Sequence, residues 1–299
     1  MKAVYIKRHG GREVLTYGDM PDPQAGHGEV KIRVRACSIN RLDVYTRIGV
    51  RGTRLDLTEP RILGGDASGD VIEIGQDVAA LNIGDRVVVN PRLTCGECGS
   101  CDTGYEELCD SPGQLGLTSN GSYAEYVTVP ARNVLPISDS ISYELAASLP
   151  TVFMPSWNIL VRRAELRPSE TALILSASSG VGSAAIQVAK SVIGARVIAT
   201  TSNDDKASLA RQLGADDVIN YSVDSIEERV NELTEGRGVD VVLDHVGADF
   251  WPASFRSMAP GGRYGICGVT SGYKAELQMG VLLFVTSRYL GYSWGGIKI

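Results

Sequence analysis

Histidine, cysteine and long apolar runs are all scarce in this sequence, and each shortage argues against one class of protein. The 299 residues include three histidines, too few to suggest an imidazole-rich catalytic metal site. There is no run of lysine or arginine and the formal net charge is −6, so neither nucleic acid nor an anionic membrane is expected as a partner. No apolar stretch reaches the roughly 20 residues of a membrane span, and the N-terminal segment MKAVYIKRHG lacks the apolar core of a signal peptide. We therefore expect a cytoplasmic protein with a small-molecule substrate.

The six cysteines are too few, and the chain too long, for the disulfide framework of a small secreted protein. Four of them nevertheless lie close together in PRLTCGECGSCDTGYEELCD, spaced C-x2-C-x2-C-x7-C: Cys95, Cys98, Cys101 and Cys109. Four thiolates with this spacing can converge on one tetrahedral Zn²⁺, and they leave no open position for water or substrate. We predict one structural zinc in a lobe at about residues 91–112. A pair of disulfides is the alternative.

Short strand-like runs fill the first part of the chain, and a different pattern follows. Runs such as EVKIRVRAC, GDVIEIG and DRVVVN lie between turn signals and predict a β-rich domain over residues 1–130. The segment 131–167 has helical spacing, with Asp139 or Ser142 as its cap, and predicts a helical bridge. Over 168–299, strands such as TALILSA alternate with helices such as FWPASFRSMAPGG, which predicts a doubly wound parallel sheet. The predicted fold class is α/β with a second, β-rich domain.

The first strand–turn–helix of the sheet domain has the features of a dinucleotide-binding site. Small residues follow the strand TALILSA, so backbone amides and the positive helix end can approach a pyrophosphate. Two of the three glycines of G-x-G-x-x-G are replaced, so the motif alone is weak, and a turn without a ligand is the alternative. His245, which follows a later strand, is expected to border the cofactor. The predicted cofactor residues of the turn are Ala177, Ser178, Ser179, Gly180, Val181 and Gly182.

The end of the second strand of this domain bears on the choice between NADH and NADPH. NAD-binding folds usually place an acid there to hold the ribose 2′-hydroxyl, whereas this chain has Thr201 and Ser202. Lys206 and Tyr221 are candidates for contacts with a 2′-phosphate, although the acidic pair 204–205 opposes them. We therefore predict NADPH as the cofactor in preference to NADH.

The order of these parts resembles the medium-chain dehydrogenase/reductase superfamily, which includes zinc alcohol dehydrogenases and quinone oxidoreductases. The resemblance covers the whole chain and is carried by the cysteine spacing, ASSGVGSAAIQVAK, GADDVINY, GDRVVVN and GSYAEYVTVP. It implies a GroES-like catalytic domain, a Rossmann domain, and hydride transfer with NAD(P)H in the cleft between them. It also implies a homodimer or tetramer.

Several positions depart from the metal-dependent members of that superfamily. Those members carry a Cys and a nearby His after the strand that ends ACS, a His-Glu pair in the GGDASG segment, and another Cys in the helical bridge. The corresponding positions here hold Asn40, Tyr45, Gly65 with Asp66, and Thr151. One carboxylate without partner ligands makes no metal site, so no catalytic zinc is expected.

Instead, residues 40–49 resemble the N-x-x-D-x-x-x-R-x-G segment of metal-free quinone oxidoreductases and enoyl reductases, including the acryloyl-CoA reductase branch. Hydride addition to a conjugated carbonyl gives an enolate whose charge is delocalised, so neutral donors such as Asn40 and Tyr45 could suffice. Tyr45 is the candidate for positioning the carbonyl or supplying the proton. Asp43 is a further catalytic candidate, for which an ion pair with Arg47 or a turn cap is the alternative.

The sequence therefore predicts an NADPH-dependent oxidoreductase that delivers hydride to an enone, quinone or enoyl thioester without a catalytic metal. Two alternatives stay open. The first is a zinc-type alcohol dehydrogenase acting on alcohols and aldehydes. The second follows from LGYSWGGIKI at the end of the chain, beyond which members of the superfamily continue; a truncated and inactive nucleotide-binding remnant would end in this way.

Overall fold

Two units account for the residues that the computed structural model describes, which are 1–277, 279 and 288–292. One unit spans Met1–Thr151 and the other Val152–Tyr292. Their boundary lies inside the segment for which the sequence predicts a helical bridge. The three-part division with limits at 130 and 167 stays a prediction.

The first unit is built mainly from antiparallel strands. Its strands are β1 Lys2–Ile6, β2 Thr16–Asp19, β3 Glu29–Ala36, β4 Arg61–Ile62, β5 Ser68–Ile74, β6 Arg86–Val89, β7 Arg92–Leu93, β8 Gly113–Gln114, β9 Tyr126–Pro130 and β10 Val134–Pro136. The main sheet has five strands in the order β10-β6-β5-β3-β9, and two smaller sheets have the orders β2-β1-β4 and β7-β8. Val30 and Ile32 of β3 are buried while their neighbours are partly or fully exposed, which matches the alternating sequence pattern.

One helix of this part of the chain begins at a residue that the sequence predicts as its cap. Ser142 caps its helix by accepting a hydrogen bond from the backbone N–H of Leu145 at 3.2 Å, whereas Asp139, the other predicted cap, accepts from Arg86. The helices are α1 Arg41–Ile48, α2 Gly99–Asp102, α3 Tyr143–Ala147 and α4 Pro150–Trp157, with 3₁₀ turns at Arg12–Val14, Glu106–Leu108 and Ala131–Asn133.

The second unit contains a parallel sheet. Its strands are β11 Thr171–Ile174, β12 Arg196–Thr201, β13 Asp217–Asn220, β14 Val239–Asp244, β15 Met258–Ile266 and β16 Arg288–Gly291. Their order in the sheet is β13-β12-β11-β14-β15-β16, which is the order 3-2-1-4-5-6 of a doubly wound dinucleotide-binding sheet. All six residues of β14 are buried, as expected for a central strand covered on both faces. The helices are α5 Gly180–Gln187, α6 Asp204–Gln212, α7 Ile226–Leu233 and α8 Trp251–Arg256, with π-helical turns at Asn158–Arg163 and Val188–Ile193.

One predicted helix is shorter than its sequence suggests. Of FWPASFRSMAPGG, only Trp251–Arg256 is α-helical, and β15 begins at Met258. Proline followed by two glycines at 260–262 disfavours a helix, and the pairing of β14 with β15 shifts register in this region.

The helices and the C-terminal end of the chain bear on two further expectations. Within the described residues, no helix combines the length and the apolar character needed to cross a bilayer. Residues 293–299, most of the LGYSWGGIKI segment, lie outside the described residues. β16 is an edge strand of the described sheet, and the homodimer or tetramer stays a prediction.

Candidate functional site

A buried carboxylate, Asp66, contacts the side chains of Asn40 and Thr151, which occupy two of the expected metal-ligand positions, and that of Ser38. Its Oδ2 accepts hydrogen bonds from Ser38 Oγ at 2.5 Å and from Asn40 Nδ2 at 2.9 Å. Its Oδ1 accepts from the hydroxyl of Thr151 at 2.8 Å and from the Thr151 backbone N–H at 3.2 Å. Asp66 is 1% exposed; burial raises its pKa, while these donors act in the opposite direction. The cluster is thus a set of polar groups that satisfy one another.

A second buried carboxyl, Asp43, lies in the first turn of α1. Its Oδ2 accepts from the backbone N–H of Asn40 at 2.7 Å and from the hydroxyl of Tyr123 at 2.8 Å. Burial, with a smaller contribution from the charge of Asp66, raises the pKa of Asp43 to about 6. Burial and the nearby Asp43 also raise the pKa of Tyr123. Sequence reasoning missed Tyr123, whose only signal was its place in the GSYAEYVTVP segment.

A glycine makes room for the Tyr123 ring. Gly64 has φ +97°, and a Cβ on this residue would lie 2.4 Å from Cδ1 of Tyr123. Any other residue at position 64 would therefore be strained and would displace the tyrosine.

Tyr45, the predicted proton donor, is not part of this cluster. Its ring lies against the guanidinium of Arg51, 5.1 Å from the ring centroid, and its hydroxyl has no hydrogen-bond partner among the described residues. Arg47 does not pair with Asp43, because its Nε donates to the carbonyl of Gly10 at 3.3 Å. Of the predicted catalytic residues, the structure brings Asn40 and Asp43 together and leaves Tyr45 apart.

The raised pKa of Asp43 predicts a pH-dependent stability. The folded-state pKa of about 6 lies above the ordinary 3.8, so Asp43 contributes stability that is fully present below pH 4 and lost as pH rises through 6. The loss is about 3 kcal/mol for a shift of this size. In Asp43→Asn this loss disappears, so the free energy of unfolding of the variant should rise relative to wild type between pH 4 and 7.5. Urea unfolding at both pH values measures it, with the exposed Asp56→Asn as the control. A pH-independent difference would contradict the expectation.

The four clustered cysteines form the candidate metal centre. Their Sγ atoms all lie within 4.8 Å of one another. Cys95 Sγ is 3.5 Å from that of Cys109 and 3.9 Å from that of Cys101. Sulfurs around tetrahedral zinc at 2.3 Å are separated by about 3.8 Å, so this donor set fits the ion. Hydrogen bonds from the backbone of Asp110 and of Cys101 lower the pKa of Cys98, whereas burial raises the pKa of Cys101, so without an ion the thiolate is favoured at Cys98. All six cysteines are free, so the disulfide alternative is not formed.

The predicted cofactor turn and His245 come together in the second unit. Ser179 caps α5, and its Oγ accepts from the backbone N–H of Gly182 at 3.0 Å. His245 Nε2 lies 2.9 Å from Ser179 Oγ and 2.9 Å from the carbonyl oxygen of Leu175. Burial lowers the pKa of His245, so the ring is neutral and ties the turn to the end of β14. Along the turn, Ala177 and Gly182 are buried, Ser178, Ser179 and Val181 are half-buried, and Gly180 is exposed.

The residues predicted to contact a 2′-phosphate also lie close together. Lys206 Nζ donates to Ser202 Oγ at 2.8 Å. The backbone N–H of Tyr221 donates to the carbonyl of Thr201 at 3.0 Å, while its ring packs edge-on against Phe250. Asp204 of α6, whose charge would oppose a phosphate, accepts a hydrogen bond from the side-chain amide of Asn220 at 3.2 Å. The end of β12 therefore offers a hydroxyl and an ammonium with no acid on the strand itself.

Comparisons with known proteins agree with this architecture. The model of the family described as "Alcohol dehydrogenase GroES-like domain" matches residues 26–139, and that of "Zinc-binding dehydrogenase" matches residues 180–298. The NAD-dependent alcohol dehydrogenase of Sulfolobus acidocaldarius is 33% identical over 276 residues, which are 91% of this chain and 78% of that protein. The chain belongs to the medium-chain dehydrogenase/reductase superfamily.

Solved structures of this superfamily are similar over nearly the whole chain. A crystal structure of an NAD-dependent alcohol dehydrogenase is 41% identical with a TM-score of 0.92, over 98% of this chain and 84% of that one. Escherichia coli quinone oxidoreductase complexed with NADPH is 28% identical with a TM-score of 0.81, over 98% of this chain and 81% of that one. Membership in the medium-chain dehydrogenase/reductase superfamily confirms the predicted fold class, a GroES-like domain with a Rossmann domain, and the general class of oxidoreductase.

Proposed function

We propose that this chain is an NADPH-dependent reductase that delivers hydride to a conjugated carbonyl compound, such as an enone, a quinone or an enoyl thioester, without a catalytic metal. The observation that carries the proposal is the donor set around Asp66. An amide, two hydroxyls and a backbone N–H already occupy its carboxylate oxygens. Over residues 1–277, 279 and 288–292, only the four-cysteine lobe groups three or more His, Cys, Asp or Glu ligands closely enough to hold a metal.

The absence of a metal-ligand set at Asp66 favours an acceptor that needs no Lewis acid. Bound NADPH would supply the hydride. Reduction of an isolated ketone concentrates negative charge on one oxygen, which a metal ion normally stabilises. Hydride addition at the β-carbon of a conjugated carbonyl spreads that charge, so hydroxyl and amide donors are sufficient. Groups of this kind are present at Ser38, Asn40, Thr151 and Tyr123, each of which donates to Asp66 or Asp43 in this structure, so one of them would have to turn to the acceptor when it binds.

Two parts of the second unit would bind different parts of the cofactor: the turn 177–182 would bind the pyrophosphate, and the end of β12 would bind the 2′-phosphate. The first turn of α5 offers backbone N–H groups to the pyrophosphate, and its positive end favours that charge. Ser202 and Lys206 would hold the 2′-phosphate, since Lys206 Nζ already lies at hydrogen-bond distance from Ser202 Oγ. The cysteine lobe would hold one structural zinc, with Cys95, Cys98, Cys101 and Cys109 as ligands.

Substrate turnover and metal content together test this function. We expect oxidation of NADPH with at least one acceptor from a panel of enones, quinones and enoyl thioesters, and one zinc per chain by elemental analysis. The name of the Sulfolobus relative, NAD-dependent alcohol dehydrogenase, favours a second candidate, an alcohol dehydrogenase. If it were of the zinc type, this candidate would predict two metals per chain and turnover of simple alcohols. An inactive remnant predicts no thermal stabilisation by NADPH, whereas binding at a hundredfold excess over Kd should add about 2.7 kcal/mol.

Cofactor preference has its own test at Lys206. In Lys206→Ala we expect the ratio of kcat/KM with NADPH to that with NADH to fall about tenfold, because one charge-assisted hydrogen bond of about 1.4 kcal/mol is lost. Arg211→Ala removes one positive charge from the last turn of the same helix, where the side chain is also exposed, and serves as the matched control. Steady-state kinetics with both cofactors measures the ratio. An equal fall in both variants would indicate general electrostatics rather than a 2′-phosphate site.

A further inference from the structure

We propose that Tyr123 donates the proton in this reduction and that Asp43 returns a proton to Tyr123. The assignment rests on the proposed reductase function, which requires a proton donor as well as a hydride donor. Tyr123 is half-buried, and its hydroxyl lies 2.8 Å from Asp43 Oδ2 and 3.4 Å from the carbonyl oxygen of Ser38. A phenol and a carboxyl in direct hydrogen-bond contact form a pair through which a proton can move.

The pair is held in place from both sides. On one side, the backbone N–H of Asn40 donates to the same Asp43 oxygen at 2.7 Å, and α1 begins there. On the other side, Gly64 leaves the space that the Tyr123 ring occupies. The same segment continues to Asp66, whose carboxylate accepts from the Asn40 side chain. The proton pair and the Asn40 amide therefore adjoin one another.

The charges around Asp43 favour retention of a proton. The titratable groups that face it are Asp66, the thiol of Cys37 and the phenol of Tyr123, all of which are neutral or negative. Among the described residues, no lysine, arginine or histidine forms an ion pair with Asp43 or Asp66. Two buried carboxyls without a counter-cation resist losing both protons.

The protonation state of Asp43 decides whether the Tyr123 proton is available. When Asp43 is ionised, the Tyr123 hydroxyl donates to it and is withheld from a ligand. When Asp43 is protonated, its own O–H donates to the Tyr123 oxygen, and the phenolic hydrogen keeps only the long 3.4 Å contact with the Ser38 carbonyl, which an acceptor can replace. Tyr123 can therefore donate its proton to the acceptor when Asp43 is neutral.

Bound NADPH would supply a hydride to the β-carbon of the acceptor and would itself be oxidised, and the electron pair of the C=C bond would then move to give an enolate. The α-carbon, or the oxygen of a quinone, takes the proton from Tyr123 Oη, and the O–H electron pair stays on that oxygen. Asp43 passes its proton to Tyr123, and the carboxylate regains one from water. The net change consumes one proton and one NADPH for each acceptor reduced.

Tyr123→Phe tests the donor, with Tyr126→Phe as the matched control. Tyr126 lies three positions along, where its ring contacts Lys31, and it takes no part in the cluster. We expect kcat of Tyr123→Phe to fall about 10²- to 10⁴-fold with an unchanged KM for NADPH, because loss of a general acid affects chemistry rather than cofactor binding. Thermal unfolding of both variants checks that each is folded. A Tyr123→Phe enzyme within threefold of wild type would overturn the assignment while leaving the proposed function intact.

The pH profile tests the role of Asp43. Since the protonated form is active, wild-type kcat/KM should fall about tenfold per pH unit above pH 6. In Asp43→Asn the side-chain amide donates to Tyr123 at every pH, so this fall in kcat/KM above pH 6 should vanish. If the fall in kcat/KM above pH 6 persists in Asp43→Asn, the proposed proton transfer from Asp43 to Tyr123 is overturned. Failure of the wild-type protein to oxidise NADPH with any acceptor would overturn the proposed function and the assignment together.

Discussion

Cys101→Ser is expected to lower the zinc content from one per chain to nearly none and to open the lobe around it. The residue is one of four sulfurs within 4.8 Å of one another, and three thiolates with a serine hydroxyl bind zinc far more weakly than four thiolates. Zinc binding by peptides of this kind contributes about 10–16 kcal/mol to folding, so little holds the lobe without it.

The surroundings of the lobe explain why the effect should be local and large. Over residues 95–110 only Cys109 is buried, and the apolar side chains of Tyr105 and Leu108 are 54% and 59% exposed. The segment therefore has almost no hydrophobic core of its own, and metal ligation must take its place. The five-stranded sheet has a separate core and should remain folded.

Elemental analysis and cleavage by a glutamate-specific protease would measure these two effects. Glu97 and Glu106 are exposed and Glu107 is half-buried, and a protease would cut at them faster once the backbone around them loosens. Cys37→Ser is the matched control, because Cys37 is exposed and outside the cluster. If Cys101→Ser keeps one zinc per chain, or resists the protease as well as Cys37→Ser, the lobe is not a metal centre.

The elements that sequence reasoning located are those specified by neighbouring residues. The cysteine lobe depends on a spacing of fifteen residues, and the cap of α3 depends on Ser142 and a backbone amide three residues later. The strand order of the second unit follows from the alternation of strands and helices, because right-handed crossovers leave few ways to arrange them. Where a local signal conflicted with the pattern, as at Pro260 and the glycines after it, the predicted helix was too long.

The clusters that sequence reasoning missed depend on residues far apart in the chain. Tyr123 and Asp43 are 80 positions apart, and Thr151 and Asp66 are 85 apart. No periodicity or motif spacing relates such residues, because the tertiary fold brings them together from two helices and two loops. The prediction for Tyr45 rested on the local segment 40–49 alone, whereas the structure places the ring of that residue against Arg51.

Gly182→Ala is expected to weaken NADPH binding by about one to two orders of magnitude. A Cβ on this residue would lie 2.4 Å from the carbonyl oxygen of Ser176 and 2.9 Å from Cα of Ala177. Both are backbone atoms at the end of β11, so neither can rotate away as a flexible side chain would. Relief of the overlap requires the start of α5 to move, at a cost of about 1–3 kcal/mol.

That movement would disturb the groups proposed to hold the pyrophosphate. Ser179 Oγ accepts from the Gly182 N–H at 3.0 Å, and His245 lies against the same hydroxyl, so a shift of α5 separates three groups at once. Backbone N–H groups at a helix end bind an anion only while they point at it. The loss should therefore appear mainly in the dissociation constant of NADPH.

Fluorescence titration with NADPH measures this constant, and thermal unfolding without cofactor shows whether the second unit remains folded. Gly99→Ala is the control, since a Cβ there would meet no atom within 4 Å. Unchanged NADPH affinity in a folded Gly182→Ala protein would mean that the turn does not contact the pyrophosphate. A protein that binds NADPH tenfold more weakly yet unfolds within a few degrees of wild type would place the pyrophosphate at the turn 177–182, because a general loss of folding would lower both quantities together.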